Sequence, residues 1–477
     1  MILEISDNMI EGKKSIAIIG AGMTGLPIGL EFCKKGYDVK ILEKNSFVGG
    51  IATSISSNGY VMDIGPHYVT LKNDSEITES VVNMIGETNL VKLPDDIRRS
   101  RNAYFYGKFW NEFPTINQFL SQIDKKIIFQ IISDISGNKL KKSLKLSRPK
   151  TAKEYLISNY GKFLYENWFK PYYRNLFFDK NPSLESVKKK FPPINITKAL
   201  STVSSKSEKP NKKGHVEKGY FNCYFKGGMI TLVKSLENEI IKYGGKIETG
   251  VNIKEISHDR KKISYERNSD TFELLPDVIV YALPLNVAEK WFKDKKSKED
   301  NQINALNSIM IFLFVDTEKL FDKWIIDSYD DDVVFWRISQ QSFLSNSVTP
   351  PNKTLLSIEI RAKEDSSVWI SDDETIYDRV ISDLKKVKIL QNEKIDGFKI
   401  LKLRNVYPLN PDRINDDTVK NLINSFDNEY AIGTELDTGI HLSGSQSDPE
   451  AKSVRLGGVL IDMMNAKTLA NKIMEKI

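Results

Sequence analysis

The chain has 477 residues, 40% of them hydrophobic and 28% charged, with 27 glycines and 17 prolines. That length exceeds one ordinary domain, and the composition excludes collagen, a simple coiled coil and whole-chain disorder. Lys plus Arg number 69 against 63 Asp plus Glu, a formal charge of +6. So small a bias gives no reason to expect a nucleic-acid partner and mildly favours small anionic ones.

Residues 1–14 include Glu4, Asp7 and Glu11 and lack a basic start followed by an apolar run, so no secretory signal is read there. Ser15-Ile-Ala-Ile-Ile-Gly20 is a short apolar run ending in glycine, the pattern of a strand buried on both faces of a parallel sheet. Apolar positions from Leu26 to Cys33, then Lys34, Lys35 and Gly36, predict a helix with a basic last turn and a glycine stop. Val39 to Glu43 reads as a second strand, completing one βαβ unit.

After Leu71 aromatic clusters alternate with polar stretches, and helical periodicity dominates residues 115–175. The Lys-, Ser-, Pro- and Asn-rich segment from Lys180 to Lys213 reads as a long, mobile surface excursion. Phe225 to Met229 predicts a turn into a helix reaching about Tyr243, and Lys246–Ile256 and Val278–Ala282 read as strands. Further on, Met310–Val315 and Leu355–Ile360 read as strands and Ile376–Lys386 as a helix, before Gly457 and Gly458 open an amphipathic run to Ile477. The longest apolar run, Ile309–Val315, is far short of the ~20 residues that span a bilayer, which leaves only peripheral membrane contact open. Cys33 and Cys223 stand alone, without CxxC or a Cys/His cluster, so no disulfide framework and no metal site are expected and a reducing cytoplasm is the expected location.

The chemistry lies first in Gly20-Ala21-Gly22-Met23-Thr24-Gly25, a G-x-G-x-x-G set between the predicted strand and helix. The first glycine permits the tight turn, the second lets a pyrophosphate approach the backbone, and the third allows close helix–strand packing with the helix N-terminus facing phosphate charge. Glu43, eighteen residues past Gly25, can accept hydrogen bonds from ribose hydroxyls, and an acid there disfavours a 2′-phosphate. A second glycine pair, Gly49-Gly50, follows Lys44 closely, and the turn Asp63-Ile64-Gly65-Pro66-His67 comes about fifteen residues later.

These three spaced motifs resemble the flavoprotein superfamily of amine oxidases, protoporphyrinogen oxidases, carotenoid desaturases and UDP-galactopyranose mutases. The resemblance extends to Tyr106-Gly-Lys-Phe109 with Phe113-Pro114, a hairpin before a proline in the family's substrate domain, to Tyr224-Phe-Lys-Gly-Gly-Met229, and to Tyr281-Ala-Leu-Pro284, a strand end near the flavin. It implies FAD as cofactor, held at Gly20, Gly22, Met23, Thr24, Gly25, Glu43, Lys44, Gly49, Gly50, Gly65, Pro66 and His67. It also places the backbone of Ile253 at the adenine and Gly457, Gly458 and Val459 at the flavin-contacting start of the last helix. Two departures stand out: Ile51 and Ala52 follow the Gly-Gly pair where amine oxidases carry arginine, and Val-Leu-Ile replaces a Ser-Gly near the last helix. Asn405-Val-Tyr-Pro408 and the Trp168–Tyr173 cluster are closer to the protoporphyrinogen oxidase and galactopyranose mutase branches.

The implied fold is α/β, with a discontinuous Rossmann-like FAD-binding domain (12–75, 218–290 and 425–477) and a mixed α+β substrate domain (76–217 and 291–424). The implied reaction is hydride removal from a C–N or C–C unit of a small organic substrate; the alternatives are a redox-neutral mutase acting on a nucleotide sugar and a non-catalytic flavin-binding protein. Because the cofactor carries the electron chemistry, the protein must chiefly orient substrate and exclude water. His67, Tyr172 and Tyr224 are the candidate catalytic residues, His67 as a proton relay beside the ring-facing turn and the tyrosines, with Trp168 and Tyr173, as rigid aromatic walls. Buried core packing is the competing role for those aromatics. Arg174 and Arg337 could grip a substrate carboxylate or phosphate, against ordinary salt bridging. The Lys-rich stretches 139–150 and 188–213 read as solvated faces rather than lipid-binding ones.

Overall fold

A computed structural model describes residues 4–5, 12–143, 149–177, 184–192, 218–257, 261–283, 287, 305–408, 429–431 and 458–477. Its first sheet is wholly parallel, in the order Lys246–Glu248, Asp38–Leu42, Ser15–Ile19, Val278–Tyr281 and Glu429–Ala431. Alternate residues of these strands serve two cores. Ile16, Ile18, Val39, Ile41, Val278 and Val280 face the helices Gly25–Lys34, Ile230–Lys242 and Gly458–Met474. Ala17, Ile19, Leu42, Ile279 and Tyr281 face Val251, Ile256, Ile263, Tyr265 and Leu274 of a second, four-stranded sheet. Burial on both sides is why these strands read as unbroken apolar runs. The chain order reverses at Ser15–Ile19, whose neighbours are Asp38–Leu42 and Val278–Tyr281, so the crevice beyond Gly20 is a topological switch point, the ligand position of open α/β sheets.

The largest sheet has seven strands, in the order Ile395–Pro408, Ala305–Val315, Thr354–Ala362, Arg337–Gln340, Ile325–Ser328, Arg101–Phe105 and Lys108–Trp110. Neighbours are antiparallel except Ile325–Ser328 beside Arg101–Phe105. One face packs the helix Asp373–Lys386 through Ile309, Ile311, Ile326, Ile338, Ile358, Ile360, Val380 and Leu384. Beside it lies a helical layer, Ile116–Leu120, Lys125–Ser143, Ala152–Leu164 and Lys170–Phe177, with a π-helical turn at Tyr165–Phe169. The hairpin Ser54–Ser57 and Tyr60–Asp63 joins the two sheets: Tyr60 stacks on Phe314 at 4.3 Å, and Met62 packs with Met310 and Phe312.

The expected βαβ unit, the helix from Met229 and the strands near 246–256, 278–282, 310–315 and 355–360 lie within a residue or a few of the observed elements. Several elements carry no such signal. The strand Ile395–Pro408 is an edge strand with the charged Asp396, Lys399 and Arg404 on its exposed positions, and the hairpin Lys262–Arg267 with Asp270–Leu274 is too polar to show a clean alternation. Within the expected surface excursion Leu184–Lys190 forms a short helix, while 193–213 lies outside the described residues. Among the described residues, no helix is long and apolar enough to cross a membrane.

Ile358 is fully buried at the centre of the seven-stranded sheet. Ile358→Ala is expected to cost about 2–5 kcal/mol through lost burial and a residual cavity, read as a lower urea midpoint.

Candidate active site

The three glycines of the first turn are required for different reasons. A Cβ on Gly20 would stand 2.3 Å from the Ala282 carbonyl oxygen, and one on Gly25 would stand 1.9 Å from that of Gly20. Both are fixed by packing. At Gly22 a Cβ would meet nothing within 4 Å, and its φ lies outside the left-handed region, so neither contact nor backbone angle calls for glycine there. Open space above an unsubstituted backbone fits a pyrophosphate. Gly49 donates its N–H to the Ala21 carbonyl at 2.7 Å and bridges to Gly22, laying the Gly49–Gly50 loop along the same opening. The helix Gly25–Lys34 starts here, with Met23 and Thr24 buried beneath it and no side-chain cap from Thr24. Its positive end suits the same anion.

Glu43 closes the other end. Its carboxylate accepts the Ala21 and Asn45 N–H groups, each at 2.8 Å, and is only 7% exposed. The carbonyls of Glu43 and Asn45 accept the N–H groups of Val251 and Gly250 at 2.9 and 2.8 Å, which brings the strand Asn252–Ser257, with Ile253, alongside. The ladder bulges between Ile253 and Glu255. Lys44 is exposed at this edge. Gly458 and Val459 start the last helix, and Gly457 and Pro284 lie outside the described residues.

At the turn, Gly65 has φ 98° and His67 folds back over it, with Cε1 3.1 Å from where a Cβ would be. Pro66 is half-buried between them. Among the described residues Nδ1 of His67 is buried and has no hydrogen-bond partner. Burial first, and the Arg337 charge in addition, push the imidazole down to about 4 against the pull of the Gly65 backbone, so His67 is neutral at pH 7. Just before the turn the Asp63 carboxyl is 1% exposed and accepts hydrogen bonds from Ser54 Oγ (2.6 Å), Tyr224 Oη (2.5 Å) and the Met229 N–H (3.1 Å). Burial nevertheless pushes it up to about 6. Gln341 completes a ring: its Nε2 donates to Tyr224 Oη at 2.7 Å and its Oε1 accepts the Asp63 N–H at 2.9 Å.

The non-helix face of the seven-stranded sheet carries a polar patch beside the apolar Met310, Phe312, Phe314 and Leu355. Arg337 sits in register with Asp327 and Glu359, its Nε 3.1 Å from Asp327 Oδ1 and its Nη1 3.6 Å from Glu359 Oε1. Arg361 faces Ser308 across the ladder. The two guanidiniums lie 3.9 and 3.4 Å from the Trp336 ring centroid, and among the described residues the buried Ser308 and Ser357 hydroxyls have no hydrogen-bond partner. Arg361 Nη1 donates to the Asn175 carbonyl at 2.6 Å, and Arg174 Nη2 to that of Tyr329 at 2.6 Å, docking the helix Lys170–Phe177 against the sheet. On that helix Tyr172 stacks on Trp168 at 5.4 Å, and Lys190 lies 4.8 Å over its ring.

The fold thus brings His67, Arg337, Arg174 and Tyr172 to one region, with Tyr329 in electrostatic reach of both Arg337 and Tyr172. The expectation for Tyr224 needs correction. Tyr224 is fully buried with its hydroxyl enclosed between Asp63 and Gln341, because the strand Tyr220–Phe225 runs through the core, so it is no wall of an open pocket. Trp168 and Tyr173 are likewise core aromatics, 4% and 7% exposed. Sequence reasoning missed Trp336, Glu359 and Arg361, although the alternation Ser357-Ile-Glu359-Ile-Arg361 carries the signal of a strand with one polar face.

A parallel sheet with an unobstructed glycine turn at its switch point, a buried acid at the end of the neighbouring strand and a second glycine loop laid beside the first has the pattern of a dinucleotide-cofactor protein. The profile of the flavin-containing amine oxidoreductases matches residues 23–400, and the chain belongs to that family, with FAD as its cofactor. A 1-hydroxycarotenoid 3,4-desaturase of Flavobacterium sp. (strain P99-3) is 27% identical over 267 residues, 53% of each protein, so the chain spans about half the length of that relative. The structure of a reduced UDP-galactopyranose mutase aligns with 98% of this chain and 96% of its own, at TM-score 0.71 and 15% identity. That of a putative protoporphyrinogen oxidase from Exiguobacterium sp. 255-15 aligns with 98% and 100%, at TM-score 0.64 and 15% identity. At that identity both likenesses speak to the fold.

Gly22→Val is expected to abolish flavin absorbance after desalting while leaving the apo-protein melting temperature near wild type, whereas Gly25→Val should unfold the chain. Neutral burial of His67 gives a stability contribution that is complete above about pH 6.5 and declines as pH falls toward 4, where only the unfolded chain takes the proton. Asp63 contributes in the opposite sense, its share complete below about 3.8 and lost as pH rises through about 6. In pH-dependent thermal melts His67→Gln should therefore flatten the acid-side loss.

Proposed function

We propose that the protein is an FAD-dependent oxidoreductase that removes hydride from a C–N or C–C unit of a small organic substrate carrying an anionic group. Its working halves would be the FAD-binding segments 12–75, 218–290 and 425–477 and the substrate-binding segments 76–217 and 291–424. The observation that carries the reading is the pair of guanidiniums, Arg337 and Arg361, set against Trp336, with neutral His67 within electrostatic reach of Arg337.

When bound, FAD supplies the hydride acceptor. The chain's own residues do the rest. Arg337 and Arg361 attract a carboxylate or phosphate, with Asp327 and Glu359 fixing the Arg337 fork. His67, with its acid form confined to low pH, meets the substrate and the cofactor as a neutral imidazole. Tyr172, on a helix tied to the sheet through Arg174 and Asn175, offers a flat wall that limits substrate motion. A wholly apolar substrate would bury these guanidiniums against hydrocarbon, at the cost of their remaining hydration.

The paired guanidiniums also support a second reading, a redox-neutral mutase acting on a nucleotide sugar, whose diphosphate would occupy the same sheet face. The readings separate in an anaerobic experiment. Bleaching of the flavin by an amino or hydroaromatic acid, and its recovery with dioxygen or another acceptor, is the expected result. Turnover of nucleotide sugars only with pre-reduced flavin, and without net use of reductant, would replace the first reading with the second. In either case Arg337→Ala should raise KM about 10–100-fold with a smaller change in kcat, as for loss of a charged contact made equally in ground and transition states.

A further inference from the structure

We infer that Asp63 is a positioning residue: through Tyr224 and Gln341 it locks the Ile64–His67 turn and thereby sets how His67 meets the flavin. The inference rests on the reading that this turn borders the cofactor.

Three observations carry it. The first is that the carboxylate is an anion with only neutral donors at its oxygens. Ser54 Oγ and the Met229 N–H hold Oδ1, and Tyr224 Oη holds Oδ2. Such a group is costly to bury, so its retention calls for a role. The second is that the ring of bonds is closed and reaches across the molecule. Asp63 lies 161 residues from Tyr224 and 278 from Gln341, and Gln341 touches both, donating to the phenol and accepting the Asp63 N–H. Gln341 follows directly on the strand Arg337–Gln340 of the polar sheet, so the ring connects the flavin-side turn to the strand that bears Arg337. The third is that the backbone leading out of Asp63 is pinned at successive residues. Ile64 N–H donates to the Thr53 carbonyl at 2.9 Å and Gly65 N–H to that of Asp63 at 3.0 Å, and His67 then folds back over Gly65. A shift of Asp63 is therefore passed to the imidazole along three residues with little slack.

A simpler role must be separated from this one. Asp63 and Ser54 also receive the N–H groups of Met229 and Ile230 at the start of the helix Ile230–Lys242, whose own N-cap residue makes no side-chain bond, so Asp63 could act only as a helix cap supplied from across the fold. A double-mutant cycle on the full chain distinguishes the two, with FAD affinity measured by fluorescence titration and thermal melting recorded alongside. Asp63→Asn is expected to weaken FAD binding about tenfold in the wild-type background and less than about twofold in His67→Ala. Tyr224→Phe, which keeps the ring and the volume, should show the same pattern at smaller size and serves if Asp63→Asn does not fold. Equal weakening in both backgrounds, or a lower melting temperature with unchanged FAD affinity, would overturn the inference and leave a helix cap. If His67→Ala itself has no effect on FAD affinity, the reading on which the inference rests fails as well; an effect of His67→Ala with additive Asp63→Asn sinks only the inference.

Discussion

The burial of one carboxylate ties the hairpin Ser54–Asp63 to a core strand, a helix and the seven-stranded sheet. Asp63 sits where a β-hairpin, a core strand, a helix N-terminus and the end of a polar sheet strand converge, and each contributes one partner to it or to its immediate neighbours. An ionised group in that position can be tolerated only if every oxygen is occupied, so those four elements have to arrive together and in register. The glycine at position 228 shows how tight the convergence is. A Cβ there would approach Ser54 Oγ at 2.8 Å and Asp63 Oδ1 at 2.9 Å, and the residue holds φ 86°.

From that node the rest of the site follows in two directions. Toward the parallel sheet, Ile64 is bonded to Thr53 beyond the Gly49–Gly50 loop, which borders the opening left at Gly22, and Glu43 is bonded to Ala21 in the same turn. Toward the seven-stranded sheet, Gln341 extends the strand that presents Arg337, and Asp327, Glu359, Trp336 and Arg361 surround that guanidinium. The charged side chains of the region come from this second direction. Arg337 is held there by Asp327 and Glu359, and the buried hydroxyls of Ser357 and Ser308 lie on the next two strands of the sheet.

The legible part of the sequence was the part written locally. Ser15–Ile19, the glycine turn, the following helix and Glu43 are contiguous, and each uses a residue type that has one physical meaning there: unbroken apolar residues for a doubly covered strand, glycines for close approach, an acid at a strand end. His67 was visible for the same reason, as part of a glycine-proline turn. The helices of the 115–177 layer and the strand at Ile358 also announced themselves by period. What stayed hidden is non-local. Nothing near Tyr224 in sequence reveals that its hydroxyl is committed to Asp63, so it looked like an available aromatic face when it is an enclosed one. Arg361 and Trp336 lie 25 residues apart in the chain and become neighbours only through the pairing of two strands. The hairpin Ser54–Asp63 is short and rich in serine, a composition that reads as loop until its pairing partner and the stacking of Tyr60 on Phe314 are known.

The central sheet also constrains the order in which the molecule can be made. Ser15–Ile19 is flanked on one side by residues that emerge early, Asp38–Leu42, and on the other by Val278–Tyr281, more than half the chain later. The Ala282 carbonyl packs against Gly20, so the second wall of the glycine turn is in place only once that later strand has been synthesised. Contacts of such sequence separation are slow to form, and the first strand must wait with one edge unpaired. Cofactor capture is thereby a late step of maturation, after Val278–Tyr281 has paired with the first strand.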